Sequence, residues 1–209
     1  HIYFENYDFL EYLILGYGED SILKFIDFLR GEKNIEEIPG LIYRRNGNIQ
    51  RNHPECYRIE QASMPDFNGL PLELYRYPVK AKTVTMLPYQ MSAGCFGRCS
   101  FCSEHRISGF QHKSHGKVIS ELKELVRRYN ANVIEFADCN IFFSHDYLEN
   151  LCDEIIKNKL DIYWSGQTGI VDVKQRELDP PLLEKMKKAG CISLTFGIET
   201  GSDRLRKSM

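Results

Sequence analysis

The sequence lacks long apolar runs, and none approaches the roughly 20 residues that a membrane-spanning helix needs. Its first residues, HIYFENYDFL, lack the basic start and the apolar core of a signal peptide. An excess of either charge is also missing, because the formal net charge is -2 and Arg44, Arg45 and Arg51 form only a sparse basic patch. These absences argue against a membrane protein and against a nucleic-acid partner recognised by charge.

A disulfide framework is also missing from the cysteine pattern. The chain has seven cysteines, an odd number, and three of them fall within eight residues, at Cys95, Cys99 and Cys102. Without a secretion signal, such clustering is typical of a reduced, cytoplasmic protein with a metal site. The other four are scattered along the chain, at Cys56, Cys139, Cys152 and Cys191.

The first 30 residues predict a strand, a glycine turn and a helix. The short apolar run from Leu10 to Leu15 is followed by Gly16 and Gly18, and apolar residues then repeat with helical spacing until Gly31. A strand, a turn and a helix in this order are typical of one α/β unit of a parallel sheet. We therefore expect such a unit at the start of the chain.

Residues 32–80 show no persistent period and contain five prolines. Prolines at this density interrupt both helices and strands. The pair Asn46-Gly47 predicts a short hairpin, because both residue types tolerate a positive φ. We expect this segment to connect two domains.

A regular alternation of strands and helices begins at Lys82. Ser144 is a candidate N-cap, Pro180-Pro181 opens a helix that Gly190 closes, and Gly201-Ser202 opens another. Four successive β/α units predict a parallel sheet that curls as part of a barrel, although four strands are too few to close one. The predicted strands are 83–87, 133–137, 162–164 and 191–198.

Polar residues follow each of these strands. In parallel sheets of this kind, ligands bind at the carboxyl ends of the strands. The topology therefore brings residues that are far apart in the sequence to the same edge of the sheet, at the carboxyl ends of its strands. They are the cysteine loop after the first strand, Asp138 after the second, Gln167 and Thr168 after the third, and Glu199 after the fourth.

The cysteine loop, defined here as residues 95–102, has the spacing C-x3-C-x2-C. Three thiolates can hold three irons of a [4Fe–4S] cluster and leave the fourth iron open for a small chelating molecule. Gly94 and Gly97 would let the backbone turn closely around the cluster. Three other readings remain open: a structural zinc site completed by His105, an electron-transfer cluster, and buried thiols without a metal.

This loop, placed after the first strand of a β/α series, resembles that of the radical S-adenosylmethionine (SAM) superfamily. The resemblance implies that Cys95, Cys99 and Cys102 hold the cluster and that the open iron binds the amino and carboxylate groups of SAM. An electron from the cluster would then cleave SAM to methionine and a 5′-deoxyadenosyl radical. Phe101 matches the family's aromatic position beside the adenine.

Later segments extend the resemblance. Gly197-Ile-Glu-Thr-Gly-Ser resembles the motif that ends the family's fourth strand, which implies that Glu199 and Ser202 contact the ribose or the methionine end of SAM. Asp138 stands at the family's second-strand motif for the SAM amine, although Cys139 replaces a second acid found in one branch. Ser165-Gly-Gln-Thr-Gly resembles a third-strand motif, which makes Gln167 a candidate cofactor contact. A helix cap, a loop cap and core packing are the structural alternatives for these residues.

The N-terminal part resembles the end of the cobalamin-binding domain in the cobalamin-dependent branch of this superfamily. The matching segments are Gly16–Glu19 with the helix that follows, and Ile38–Tyr43 with Asn46-Gly-Asn. The branch's D-x-H-x-x-G motif, whose histidine can ligate cobalt, is absent. The implied organisation is the tail of a Rossmann-like cobalamin domain at 1–45, a linker at 46–80, and the first half of a TIM-like radical SAM barrel at 81–209.

The resemblance implies an enzyme that uses SAM, a [4Fe–4S] cluster and cobalamin to methylate or otherwise transform an unactivated carbon of a small molecule. The cobalamin site is incomplete in this chain. A flavodoxin or ferredoxin would supply electrons. Alternatives are a cobalamin-independent radical SAM enzyme, a methylthiotransferase-like relative, and a zinc-stabilised Cys3His binding module. Because the chain begins at His1 and stops at Met209 inside a helix start, we expect a fragment that is inactive alone.

Overall fold

The computed structural model describes residue 4 and residues 6–55, 58–79, 82–104, 109–169 and 179–207. The chain forms two compact units. The first comprises residues 1–57 with 103–109, and the second comprises residues 58–102 with 110–209. The units divide after residue 57, whereas the sequence placed the start of a linker at 46.

The first unit contains a small antiparallel sheet and an 11-residue helix. The hairpin expected at Asn46-Gly47 is confirmed, since Arg45 pairs with Asn48 and both turn residues have positive φ, 52° and 77°. The expected parallel α/β unit is wrong for the described residues, because the first strand pairs antiparallel with the second. The elements are β1 (Tyr12–Ile14), α1 (Glu19–Leu29), a 3-10 turn (Ile35–Glu37), β2 (Leu41–Arg45) and β3 (Asn48–Arg51).

The second unit is a five-stranded sheet with helices between its parallel strands. Its strands are β4 (Arg76–Val79), β5 (Lys82–Tyr89), β8 (Ala131–Phe136), β9 (Tyr163–Gly169) and β10 (Cys191–Gly197), while β6 (Ser92–Ala93) and β7 (Gln111–His112) form a separate two-stranded ladder. The strand order is β10-β9-β8-β5-β4, in which β4 is antiparallel to β5 and the other four strands are parallel. The four parallel strands are neighbours in chain order, as they are in a (β/α) barrel. The helices are α2 (His115–Tyr129), α3 (His145–Lys157), α4 (Pro180–Lys188) and α5 (Asp203–Arg206), with a 3-10 turn at Leu72–Leu74.

Capping side chains set where the helices of the second unit begin. The N-cap predicted at Ser144 is confirmed, since its side chain accepts a hydrogen bond from Tyr147 N at 3.2 Å. Asp179 does the same for α4 by accepting from Leu182 N at 2.8 Å, just ahead of the two prolines. These caps define the first residue of α3 and of α4, and therefore where the loop before each helix ends.

The core of the second unit lies between the sheet and the helices α2, α3 and α4. Leu122, Leu148 and Trp164 are fully buried there, and the Trp164 ring packs edge-on against Phe136 with centroids 5.5 Å apart. Trp164 also donates from Nε1 to Ala189 O at 3.0 Å, so it is a core residue. Within the ranges given above, no helix is both long enough and apolar enough to cross a bilayer.

Candidate functional site

The cysteine loop extends from a short two-stranded ladder at the carboxyl end of β5. β6 and β7 form this ladder through two pairs, Ser92 with His112 and Ala93 with Gln111. Gly94 turns the chain out of β6 with a φ of 75°. The loop therefore starts two residues after β6 ends, at the edge of the sheet where ligands bind in barrels of this type.

Two of the three thiols flank Gly97. A Cβ at that position would lie 3.3 Å from Cys95 Sγ and 4.0 Å from Cys99 Sγ, so both sulfurs face the space that a side chain would fill. The Gly97 amide also donates a hydrogen bond to Cys95 Sγ at 3.3 Å. Amide-to-sulfur bonds of this kind tune the thiolates of iron–sulfur clusters. The loop is therefore compatible with a metal cluster that is bound by several sulfurs and lies close to the backbone at Gly97.

The three thiols are not arranged as ligands of one ion. Among the residues that the structure describes, no three His, Cys, Asp or Glu side chains are gathered closely enough to share a single metal. A [4Fe–4S] cube instead takes each thiolate on a different iron, which spreads the sulfurs apart. His105, the fourth ligand of the zinc alternative, lies outside the described residues.

Partial exposure keeps the loop accessible. Cys99 is exposed, and Cys95 and Cys102 are partly buried. Phe101, predicted to lie beside the adenine, is 58% exposed, and a backbone bond from Cys102 N to Cys99 O of 3.1 Å closes the turn in which it lies. A large apolar ring held at the surface next to two cysteines is available to a ligand. Its contact with adenine stays a prediction.

A polar cavity of about 220 Å³ opens along the carboxyl ends of β8, β9 and β10. Its polar lining comes from neighbouring register positions, since Glu135 pairs with Ser165, and Gln167 pairs with Thr195. Gln167 was expected after the third strand but lies within β9, which runs to Gly169. The strand alternation turns Gln167 toward the cavity, while Thr168 is buried on the opposite face.

The loop after β8 fixes the backbone of Gln167. Ile141 N donates to Gln167 O at 2.9 Å. A Cβ on Gly166 would meet Ile141 side-chain atoms at 2.8 Å and 2.9 Å, so only glycine lets this loop cross β9 so closely. Asn140 Oδ1 also accepts from Thr168 Oγ1 at 3.0 Å. The site's third strand is therefore held by the loop that also carries Asp138.

Glu199 lies just beyond β10 in an uncommon backbone conformation. It is exposed and has a φ of 60°, a left-handed value that glycine adopts far more readily than glutamate. Its carboxylate lies above Gly197, because a Cβ on that glycine would come within 2.7 Å of Glu199 Oε1. Such strain is found where a side chain must be aimed at a ligand. The SAM contact predicted for Glu199 is not tested by this geometry and stays a prediction.

Ser202 caps the short helix α5. Its Oγ accepts from Leu205 N at 3.4 Å, and its own amide donates to Thr200 Oγ1 at 3.1 Å. These bonds are those of a helix start, one of the alternatives considered from the sequence. The cofactor contact predicted for Ser202 stays a prediction.

Asp138 is fully buried, with partners that the sequence did not suggest. Its carboxylate accepts hydrogen bonds from Ser92 N and Ser92 Oγ, both at 2.5 Å, and from Met91 N at 3.3 Å. Burial raises the pKa of Asp138 to about 6, although these hydrogen bonds and the charge of Lys113 pull it down. The predicted contact with the SAM amine stays a prediction, but the carboxylate is already engaged by the segment before the cysteine loop.

Sequence reasoning missed several residues at this site. Glu135 lines the cavity, and its only signal was an acidic residue inside an otherwise apolar strand. Lys113 and Glu121 form a buried ion pair, with Nζ and Oε2 2.8 Å apart. Glu121 could have been found because it falls on the apolar face of α2, between Val118 and Leu125.

The likeness to known proteins agrees with this geometry. An uncharacterized methyltransferase of Pyrococcus horikoshii is 26% identical over 200 residues, which is 94% of this chain and 42% of that protein. The anaerobic magnesium-protoporphyrin IX monomethyl ester cyclase of Synechocystis sp. is 22% identical over 206 residues, which is 95% of this chain and 39% of that protein. The chain therefore spans about two fifths of the length of these curated relatives.

A solved structure gives the same answer for the fold. The cobalamin-dependent S-adenosylmethionine radical enzyme OxsB, determined with aqua-cobalamin and S-adenosylmethionine bound, superposes with a TM-score of 0.77 at 20% identity, over 99% of this chain and 30% of that chain. The expected α/β fold with a partial (β/α) barrel is thereby confirmed. Residues 89–209, which include the cysteine loop, the cavity and Glu199, match the radical SAM superfamily. Since this match covers more than half of the chain, the chain belongs to the radical SAM superfamily.

Proposed function

We propose that this chain is the cluster- and SAM-binding part of a radical SAM enzyme. The observation that carries the proposal is the cysteine loop, in which two thiols flank a glycine that leaves space beside their sulfurs. The loop lies at the carboxyl edge of a parallel sheet within the region that matches the superfamily. When bound, the cluster would supply the electron that cleaves SAM into methionine and a 5′-deoxyadenosyl radical.

The side chains around the loop would hold and orient the two cofactors. Cys95, Cys99 and Cys102 would ligate three irons, and the Gly97 amide would stabilise the charge on the first sulfur. Phe101 offers an exposed ring to the adenine. Three polar side chains at the strand ends would bind the rest of SAM: Gln167, Glu199 and Ser202.

The reaction that follows is proposed by likeness to relatives. One relative is described as a methyltransferase and another as a cyclase, so the shared step is SAM cleavage and the later chemistry differs between them. We propose methylation of an unactivated position on a small molecule, with a flavodoxin or ferredoxin as electron donor. The polar lining of the cavity, with Glu135 and Gln167, suits a substrate or cofactor group that forms hydrogen bonds.

We propose that the whole enzyme also uses cobalamin, and that this chain supplies only part of the cobalamin site. The cobalamin-dependent enzyme OxsB superposes over 99% of this chain, which supports the proposal. The residues present would hold only part of such a site, because this sequence contains no D-x-H-x-x-G motif. We assign no step to cobalamin.

Anaerobic reconstitution with iron and sulfide tests the proposal. The chain is expected to turn brown, to hold about four irons, and to show an EPR signal after reduction that changes when SAM is added. The change reflects SAM binding at the iron that no cysteine ligates. A colourless protein that retains zinc and ignores SAM would contradict the proposal and support the binding module.

A matched pair of cysteine variants makes this test specific. Cys95→Ala removes a thiol of the loop and is expected to abolish the EPR signal. Cys191→Ala removes a partly buried thiol at the start of β10, outside the loop, and is expected to leave the signal intact. Equal loss in both variants would show that iron is held without the proposed loop.

A further inference from the structure

The ladder that carries the cysteine loop is too small to hold its own position. β6 and β7 share only two residue pairs, and an isolated two-stranded hairpin is marginally stable in water. The irons of a cluster nevertheless need their thiolates at fixed positions, as any metal site does. Contacts from outside the ladder must therefore set where the loop begins and ends.

Asp138 holds the incoming end of the ladder. Its carboxylate follows β8 and accepts from both the amide and the hydroxyl of Ser92, which lies three residues before Cys95, and from the amide of Met91. Asp138 has no exposed surface. A carboxylate in such a place costs several kcal/mol of desolvation unless donors surround it, as they do here.

Glu121 holds the outgoing end through Lys113, the residue directly after β7. Lys113 Nζ lies 2.8 Å from Glu121 Oε2, and both residues are buried, at 3% and 8% exposure. Tyr89 OH donates to the same oxygen at 2.7 Å, and Lys117 Nζ lies 3.2 Å from the other carboxylate oxygen. Burial opposes ionisation of Glu121, but hydrogen bonds from Lys113 and Tyr89 outweigh it and hold the pKa below its usual value.

The two ends are tied together at Met91. Its amide donates to Asp138, while its carbonyl oxygen accepts from Lys113 N at 2.8 Å. The Lys113 carbonyl in turn accepts from Tyr147 OH at 2.7 Å, so α3 joins the network. One connected set of buried polar groups thus links β5, β8, α2 and α3 to the base of the loop. Buried charges of this kind often stabilise a fold no better than apolar residues would, so stability alone does not account for them.

We propose that Asp138 and Glu121 are positioning residues that fix the base of the cysteine loop and thereby the geometry of the three cluster-binding thiolates. This inference rests on the proposed function for its cluster, but the anchoring itself can be measured without iron. It assigns Asp138 a role under the loop, in place of direct contact with SAM.

The test compares four single variants of the chain. Asp138→Asn and Glu121→Gln weaken the two anchors. Asp153→Asn changes an exposed carboxylate, and Glu124→Gln changes a partly exposed one on the same helix as Glu121. Both anchor variants are expected to bind the cluster about tenfold more weakly and to shift its EPR signal before SAM is added. The two control variants are expected to match the wild type.

The metal-free chain gives an independent reading. Hydrogen exchange of the Ser92 amide is expected to speed up about tenfold in Asp138→Asn, because a buried hydrogen bond is weakened, and to stay unchanged in Asp153→Asn. If Asp138→Asn does not fold, Ser92→Ala removes only the hydroxyl bond and is expected to give a smaller change of the same kind. Exchange that is unchanged in both variants would overturn the anchoring.

The outcomes separate this inference from the proposed function. If Asp138→Asn keeps the wild-type iron content and SAM-free EPR signal but loses the response to SAM, Asp138 is a SAM ligand and the positioning role is overturned. If wild-type chain binds no cluster while the Ser92 amide still responds to Asp138→Asn, the proposed function fails and the anchoring of the loop stands.

Discussion

At the scale of single residues, Gly97 is the position where the smallest change should matter most. A methyl group there would press on Cys95 Sγ at 3.3 Å and reach Cys99 Sγ at 4.0 Å. We expect Gly97→Ala to weaken retention of iron by about tenfold, as changes beside metal ligands commonly do, without changing the circular dichroism of the metal-free chain. Iron per chain after gel filtration is the measurement.

Gly116→Ala is the control for that variant. Gly116 lies in the first turn of α2, where an added Cβ meets no atom within 4 Å. Alanine in a helix is favoured over glycine by about 1 kcal/mol, so this variant should keep its iron and melt slightly higher. Equal loss of iron in both variants would show that the space beside Gly97 is not what retains the iron.

Asp138 should give the chain a measurable pH dependence. Its folded pKa of about 6 lies above the value of about 3.9 expected for an unfolded aspartate. The folded state therefore keeps this proton where the unfolded state has lost it, and the resulting stability is present at low pH and is lost as the pH rises through about 6. We expect the wild-type free energy of unfolding to fall, relative to Asp138→Asn, by about 1.4 kcal/mol between about pH 5 and pH 7.5. Urea unfolding of both proteins at the two pH values measures this. A difference in free energy of unfolding between wild type and variant that does not change with pH, or that shifts in favour of the wild type as the pH rises, would contradict the prediction.

Gln167 should act on SAM and not on iron. Its side chain faces the cavity, away from the core beneath β9. We expect Gln167→Ala to keep the full iron content and to need several-fold more SAM for the EPR change, since one lost hydrogen bond is worth about 1 kcal/mol. Gln50→Ala, on an exposed position of β3, should titrate like the wild type, and a loss of iron in Gln167→Ala would argue for a structural role.

Residue chemistry could be predicted from sequence only where it is local. The three cysteines lie within eight residues, so their spacing predicted a metal site, and their place after the first strand added the resemblance that implies a cluster. The partners of Asp138 lie 46 and 47 positions away, and no local pattern points to such a pair. The place of Glu135 in the cavity lining could not be predicted for another reason. In the sequence, an acidic residue that faces a cavity cannot be told from one that faces solvent on an exposed strand.

At the scale of elements, the turn between α4 and β10 depends on Gly190. It has a φ of 96°, and a Cβ there would lie 2.2 Å from Ile162 O. Gly69 has a φ of 81° but meets no atom within 4 Å. We expect Gly69→Ala to cost about 1–2 kcal/mol for backbone strain, and Gly190→Ala to cost about 1–3 kcal/mol more for the clash. Urea midpoints measure both, and equal costs would show that the close approach to β9 is not what requires glycine.

The helices and parallel strands of the second unit could be predicted from periodicity and caps, but the end of β9 and the pairing of β1 in the first unit could not. β9 runs to Gly169, beyond the predicted end at 164. The prediction stopped too early because Ser165-Gly-Gln-Thr-Gly lacks the apolar residues by which strands are recognised in a sequence. Its polar face borders the cavity. β1 has the local pattern of a parallel α/β unit, yet it pairs antiparallel with β2, since the choice of partner is made by residues far along the chain.

At the scale of the whole molecule, the half-barrel could be predicted because its connections are sequential. The four parallel strands of the sheet are neighbours in chain order and are connected through helices, so local patterns and the usual handedness of crossovers leave little choice of topology. The antiparallel edge strand β4 lies within 46–80, where the sequence predicted a linker. The character of the first unit could not be predicted in the same way. Its assignment to the tail of a cobalamin domain rests on resemblance, and it stays a prediction.

The central claim is that three cysteines hold a four-iron cube and leave one iron open to SAM. Mössbauer spectra of the chain reconstituted with iron-57 test it most directly, because they report on each iron separately. The account predicts that SAM shifts the signal of one iron in four and leaves the other three unchanged. Four irons that all ignore SAM, or a site with fewer than four irons, would contradict it.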